Sequence, residues 1–189
     1  MDHDADRSAF ASATTHLLVA LGSIRDDQWD LPTPCHEWDL AALVDHVTGG
    51  NWFTARILDG QKSEEVLRLT MARFADGSAS RREAIESAEE QLAAVEQAGV
   101  LDESWDHVAG VLSGRQILRL RLHDLIVHTW DINQSVSPPG SIPQDLIDWG
   151  INEMSNGGSL TAQHFQIVDE PETQTPGGSA ITYLAAFGR

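Results

Sequence analysis

The stretch Arg121-Leu-His-Asp-Leu-Ile-Val-His-Thr-Trp-Asp131 decides how this chain is interpreted. A spacing of four residues places the carboxylate of Asp124 and the imidazole of His128 on one face of a helix. Apolar residues surround the pair, so much of this helix is expected to be buried. Buried polar groups need partners. The pair therefore predicts a third polar group that faces it from another part of the chain.

A third group of the right kind is His46, which ends the stretch Cys35-His-Glu-Trp-Asp-Leu-Ala-Ala-Leu-Val-Asp-His46. This segment also reads as a helix and carries its histidine among leucines and valines. Two histidines and one carboxylate from two helices would hold zinc or a similar divalent ion and leave one coordination position open for chemistry. Two simpler interpretations stay open at this point: a surface ion pair, and a core histidine that is bonded to Asp124.

Four amphipathic segments predict an all-α fold, an up-and-down four-helix bundle. They are expected at about residues 5–21, 39–58, 80–99 and 113–133, with Asp39 as the N-cap of the second. Gly49 and Gly50 inside that helix indicate close packing, a bend or room for a ligand. A helix that begins at Pro143 and a short one through residues 181–187 would form a C-terminal helical extension. Residues 156–178 carry turn chemistry, and their order is left open.

Composition favours one domain that covers residues 1–189. The chain has 41% hydrophobic residues, and its 29 acidic and 12 basic residues give a formal net charge of -17. A surplus of negative charge repels nucleic acid and anionic membranes, so neither is an expected partner. The single cysteine, Cys35, and the absence of a signal-peptide pattern or a long apolar run predict a cytoplasmic protein. Scarce basic residues argue against a dianionic substrate, although Arg56 or Arg121 could serve a carboxylate locally.

Several motifs together resemble the actinobacterial mycothiol-dependent metalloenzymes, a family within the DinB-like superfamily that includes the mycothiol-dependent maleylpyruvate isomerase N-terminal domain and mycothiol S-transferases. The motifs are Pro32-Thr-Pro-Cys-His-Glu-Trp-Asp39, Leu43-Val-Asp-His46, Val127-His-Thr-Trp-Asp131 and Leu184-Ala-Ala-Phe-Gly-Arg189. The resemblance spans nearly the whole chain. The sequence departs from the family at Asp124, where the best-known members have glutamate, and in 133–140, which replaces the family's usual Ala-x-Gly.

The resemblance implies a DinB-like bundle in which His46, Asp124 and His128 bind a divalent metal, usually zinc. It also implies mycothiol as thiol cosubstrate and a small-molecule electrophile as the second substrate, with a homodimer as an option. The metal would activate the thiol for attack on the electrophile, in a transferase or isomerase reaction. No protein nucleophile is then required. Asp131, three residues after His128, would orient a metal ligand or cap a neighbouring backbone group.

Two other classes of function stay open. The metal could activate water for hydrolysis, with Asp131 or Glu37 as the base, or the chain could be a non-catalytic module that binds a metal or ligand. The remaining candidate residues are expected to be structural. Cys35 is interpreted as a buried structural thiol, His123 as facing solvent or a loop, and His36, His107 and His164 as surface residues.

Overall fold

The computed structural model describes residues 3–36, 38–74, 76–136, 141–155 and 180–189. Within these ranges the chain forms seven helices and one two-stranded sheet. In chain order they are α1 (His3–Ser23), α2 (Leu40–Leu58), α3 (Ser63–Arg73), α4 (Arg81–Glu96), β1 (Ser104–His107), β2 (Gly110–Ser113), α5 (Gly114–Ser135), α6 (Gln144–Ser155) and α7 (Ala180–Ala185).

The core is a bundle of the four long helices α1, α2, α4 and α5. They pack in the pairs α1–α4, α4–α2, α2–α5 and α5–α1, which closes a ring of four. Phe10, Leu17, Leu43 and Leu122 are fully buried at its centre. Helix α6 packs on α1 and α5, and α7 packs on α6. The prediction of an all-α four-helix bundle with a C-terminal helical extension is therefore confirmed.

Local signals fix where the helices of the site begin. The side chain of Asp39 accepts a hydrogen bond from the backbone N–H of Ala42 at 2.9 Å, which caps α2 as predicted. Ser80 caps α4 and Ser113 caps α5, each in a reciprocal capping box with the residue three positions later. These caps set the register of α2 and α5, the two helices that carry the predicted metal ligands.

Two elements were not predicted. Helix α3 follows α2 and packs against it, and the antiparallel β1–β2 hairpin pairs Trp105 with Leu112 and His107 with Gly110. The predicted third helix also ends earlier than expected, at Glu96 rather than near Gly99. Within the described ranges no helix combines the length and the apolar character that a bilayer span requires. The predictions for 156–178, His164 and Glu37 lie outside the described residues.

Candidate metal centre and adjoining cavity

The three predicted ligands meet between α2 and α5. Nε2 of His128 lies 3.2 Å from Oδ1 of Asp124, and Nε2 of His46 lies 3.5 Å from the same oxygen. The two imidazole rings are 4.8 Å apart and nearly perpendicular. One ligand atom from each residue lies within 4.8 Å of the other two. The structure thus brings together the residues that the sequence singled out, on the two helices expected to carry them.

The donor set fits a divalent metal. Nε2 of His46 is buried and has no hydrogen-bond partner among the described residues, although the side chain as a whole is 39% exposed. A buried acceptor or donor without a partner is costly, and a metal ion between the three groups would remove that cost. Two imidazole nitrogens and one carboxylate oxygen are ligands that zinc accepts in sites with an open coordination position. The residues present therefore fit the metal that the resemblance implies.

Asp131 holds the other nitrogen of His128. Its Oδ2 lies 2.9 Å from Nδ1 of His128, and its carboxylate is fully buried. Hydrogen bonds from His128 and Arg189 outweigh the effect of burial and lower the pKa of Asp131, so it is ionised and can only accept. His128 consequently donates from Nδ1, and its Nε2 is directed at Asp124 and His46. This is the arrangement in which a carboxylate orients a metal-binding histidine.

Arg121 holds the other oxygen of Asp124. Its Nη1 donates to Oδ2 of Asp124, which leaves Oδ1 facing the two histidines. The rest of the guanidinium is bonded to the protein, at 2.8–2.9 Å, through Gln91, Asn51 and the backbone carbonyl of Val47. Arg121 therefore points into the bundle, and its hydrogen bonds go to protein groups rather than leaving it to bind a substrate carboxylate. Arg56 is likewise bonded to Glu90, at 2.5 Å, and lies over the ring of Trp52.

Neighbouring charges shift the pKa values of Asp124 and His128 in opposite directions. Burial opposes ionisation of Asp124, but the charges of Arg121 and His128 outweigh it and hold the pKa of Asp124 well below its usual range. Burial also acts to lower the pKa of His128, but Asp124 and Asp131 outweigh it and raise that pKa well above the ordinary value. A proton on His128 therefore occupies the position where a cation would bind.

A cavity of about 540 Å³ adjoins the ligand cluster, and both His46 and Asp124 line it. Its walls come from α2 and the segment before it, α3 and the segment after it, the β1–β2 hairpin and α5. Most of the larger side chains in these walls are apolar: Trp38, Phe53, Leu67, Met71, Phe74, Val108, Ile117 and Leu120. The volume lies within the range of small-molecule sites. The open side of the ligand cluster thus faces a space that can hold an organic substrate.

The structure corrects several expectations about single residues. His123 is fully buried rather than facing solvent, because α6 and α7 cover that face of α5. Its Nδ1 lies 2.7 Å from the hydroxyl of Tyr183, and its Nε2 lies 2.8 Å from Glu153. His107 is half-buried and lines the cavity, so it is not simply a surface residue. His36 is exposed as predicted.

Cys35 is half-buried rather than part of the closed core. Its Sγ lies 2.6 Å from Nη2 of Arg189 and 3.5 Å from Oδ2 of Asp131. Cys35 is not among the residues that line the cavity. In the sequence, Arg189 stands at the end of the motif Leu184–Arg189. No local signal in that motif indicates that the Arg189 side chain contacts Cys35 and Asp131.

Comparisons with known proteins identify the family and the fold of the chain. Residues 10–133 match the family model described as the mycothiol maleylpyruvate isomerase N-terminal domain. Two uncharacterized proteins of Mycobacterium tuberculosis, from strains CDC 1551 and H37Rv, are each 27% identical over 151 residues, which is 77% of this chain and 71% of theirs.

Two solved structures have the same fold. The mycothiol-dependent maleylpyruvate isomerase superposes with a TM-score of 0.64 at 15% identity, and a histidine-to-alanine mutant of it superposes with a TM-score of 0.64 at 14% identity. Each match covers 82% of this chain and 70% of the other. At this level of identity the likeness establishes the shared fold.

Proposed function

Because the chain belongs to the family of mycothiol maleylpyruvate isomerase N-terminal domains, we propose that it is a metal-dependent transferase or isomerase. Mycothiol is its thiol cosubstrate, and an electrophilic small molecule is its second substrate. The observation that carries the proposal is the convergence of His46, Asp124 and His128 at the edge of a largely apolar cavity.

The three converging residues would hold the metal, with zinc as the first candidate. A divalent ion bound there would favour the thiolate form of a thiol that reaches its open position. Asp124 presents one oxygen to the site because Arg121 holds the other. His128 presents Nε2 because Asp131 keeps a proton at Nδ1. Asp124 and His128 are thus each oriented by a buried neighbour before any substrate binds, which reduces the reorganisation needed for catalysis.

Other residues shape the space around the reacting groups. The ring of Trp38 lies 4.7 Å from that of His46 and 6.0 Å from that of His128, so it shields both from water on one side. The apolar walls of the cavity would hold the electrophile beside the activated sulfur, where proximity raises the rate. Cys35 lies outside those walls, which supports a reaction without a protein nucleophile.

Hydrolysis is less well supported. A general base must reach the water that it activates, with a free oxygen. Both oxygens of Asp131 are engaged, Oδ1 by Arg189 and Oδ2 by His128 and Arg189, and the carboxylate is fully buried. Asp131 is therefore better suited to orient His128 than to accept a proton from water.

The test is conjugation of mycothiol with monobromobimane, followed by fluorescence. We expect turnover by the zinc-loaded parent, its loss in His46→Ala, and unchanged turnover in His36→Ala, which removes an exposed histidine. Consumption of an ester or amide substrate at the same rate with and without mycothiol would replace the proposal with hydrolysis. Metal binding without turnover in either assay would replace it with a non-catalytic binding module.

A further inference from the structure

The mouth of the cavity is apolar where it meets solvent. Met71 of α3 is 65% exposed, Val108 in the hairpin turn is 50% exposed, and Leu67 of α3 is also exposed. All three line the cavity. Large exposed apolar side chains that cluster around an opening are typical of a site that binds an apolar partner. The same two elements, α3 and the hairpin, build this rim of the cavity.

The described residues of the wall offer no unpaired arginine or lysine to an anionic substrate. Among the described residues that line the cavity, Arg121 is the one arginine or lysine, and Asp124 balances its charge. Asp45 adds a negative charge to the wall. Its carboxylate accepts hydrogen bonds from the backbone N–H groups of Gly77, Ser78 and Ala79 at 2.5, 3.2 and 2.6 Å, without a cationic partner among them. Recognition of a carboxylate normally uses an arginine or lysine that is available to pair with it.

We propose that the second substrate is an uncharged, apolar electrophile, and that Leu67, Met71 and Val108 determine this selectivity. The inference rests on the proposed function and names the substrate class of the same site. In a substitution reaction the mycothiol sulfur forms a bond to the electrophilic carbon as the carbon–halogen bond breaks. The halide leaves with the bonding electron pair, and the thiol proton goes to solvent.

The reaction is tested with two electrophiles that differ in charge. 4-Nitrobenzyl bromide is uncharged, whereas 4-(bromomethyl)benzoate carries a carboxylate in the same position and has the same leaving group. We expect the enzyme to raise the rate of mycothiol conjugation for the nitro compound by a larger factor over the uncatalysed rate. An equal or larger enhancement for the carboxylate would overturn the inference, while thiol-dependent turnover itself would still support the proposed function.

Binding is measured separately from chemistry. The probes are 4-nitrotoluene and 4-methylbenzoate, unreactive analogues of the two electrophiles, titrated by calorimetry into metal-free protein without mycothiol. We expect 4-nitrotoluene to bind and 4-methylbenzoate to bind more weakly. If binding is selective but neither electrophile turns over, the proposed function fails and the apolar preference of the cavity stands. If 4-methylbenzoate binds as tightly as 4-nitrotoluene, the inference fails whatever the turnover.

Matched variants locate the selectivity. Val108→Lys places a cation at the rim, whereas Val111→Lys changes a residue of the same hairpin that is 74% exposed and does not line the cavity. On α3, Met71→Lys and Leu69→Lys form a second pair of the same kind. The rim variants should weaken 4-nitrotoluene binding by about fivefold, the scale set by losing contact with one or two methylene groups. The rim variants should also reduce the difference in affinity between 4-nitrotoluene and 4-methylbenzoate. Equal behaviour of rim and control variants would contradict the assignment.

Discussion

The guanidinium of Arg189 donates two hydrogen bonds to the carboxylate of Asp131, Nε to Oδ1 at 2.8 Å and Nη2 to Oδ2 at 3.1 Å. Asp131 in turn holds Nδ1 of His128. A residue 58 positions along the chain from Asp131 therefore fixes the orientation of a predicted metal ligand. The contact also ties the segment after α7 to the centre of the bundle.

Removing the hydrogen bonds from Arg189 to Asp131 should weaken metal binding. Arg189→Ala leaves Asp131 free to turn, so His128 loses its fixed orientation, and we expect the metal dissociation constant to rise by about 10–100-fold. Competition with a chromophoric chelator measures it. Arg25→Ala, which removes an exposed arginine paired with Asp27, is the control. An unchanged dissociation constant in Arg189→Ala would show that Asp131 is oriented without Arg189.

Metal binding should release a proton near neutral pH. Asp124 and Asp131 raise the pKa of His128 well above its ordinary value. Without metal, His128 is therefore still protonated at neutral pH, and it must lose a proton before its Nε2 can bind a metal ion. Calorimetry in buffers of different ionisation enthalpy gives the number of protons released, which we expect to be about one at pH 7. Metal affinity should fall as the pH falls, because protonation competes more strongly. Binding without proton release at pH 7 would contradict the assignment of His128.

The same pKa shift predicts how the stability of the metal-free chain depends on pH. A histidine whose pKa is higher in the folded than in the unfolded state binds its proton more tightly when folded. Its contribution to the free energy of unfolding is complete below the ordinary histidine pKa. It is lost as the pH rises through the raised pKa of His128. Denaturant unfolding of metal-free protein across this range measures it, and His128→Gln should flatten the dependence.

Gly50 should be intolerant of a side chain. A Cβ at this position would overlap the guanidinium of Arg121, which packs directly against the glycine. Gly50→Ala should therefore displace Arg121 from Asp124, weaken metal binding and lower the free energy of unfolding by about 1–3 kcal/mol. Gly22→Ala in α1 is the control, since no atom of the described residues lies within 4 Å of its added Cβ. If both alanine variants bind metal like the parent, the contact between Gly50 and Arg121 does not support the site.

Cys35 should be dispensable for the reaction. It lies outside the cavity walls, so Cys35→Ala should keep most of the mycothiol conjugation rate of the metal-loaded parent. Its sulfur contacts Arg189 and Asp131, so a modest loss of metal affinity is expected, and the assay is run at saturating zinc. Loss of turnover with the metal retained would make Cys35 the nucleophile.

The sequence was sufficient to predict the helices that carry the ligands. Asp39 and Ser113 are strong capping residues, and the spacing of Asp124 and His128 on an apolar helix indicated an inward polar face. Helix α3 was missed because it is short and buries little, with Ser63 and Val66 as its buried residues. The hairpin was missed because its four-residue strands are largely exposed on both faces, so their hydrophobic alternation is weak.

Tertiary contacts explain the remaining differences. The exposure of His123 depended on whether another element covers its side of α5, and Tyr183 and Glu153 reach it from α7 and α6. The role of Arg189 depended on a contact between distant parts of the chain. Neither the cover over His123 nor the contact of Arg189 with Asp131 produces a periodic pattern in the sequence. The cavity has the same origin, because α3 and the hairpin form much of its wall.

The most direct test of the central claim is the metal content of the purified protein, measured by elemental mass spectrometry on parent, His46→Ala and His36→Ala. The convergence of His46, Asp124 and His128 predicts about one divalent ion per chain in the parent and in His36→Ala. His46→Ala should contain little metal while its far-ultraviolet circular dichroism stays helical. Equal metal content in folded parent and folded His46→Ala would contradict the assignment of the site.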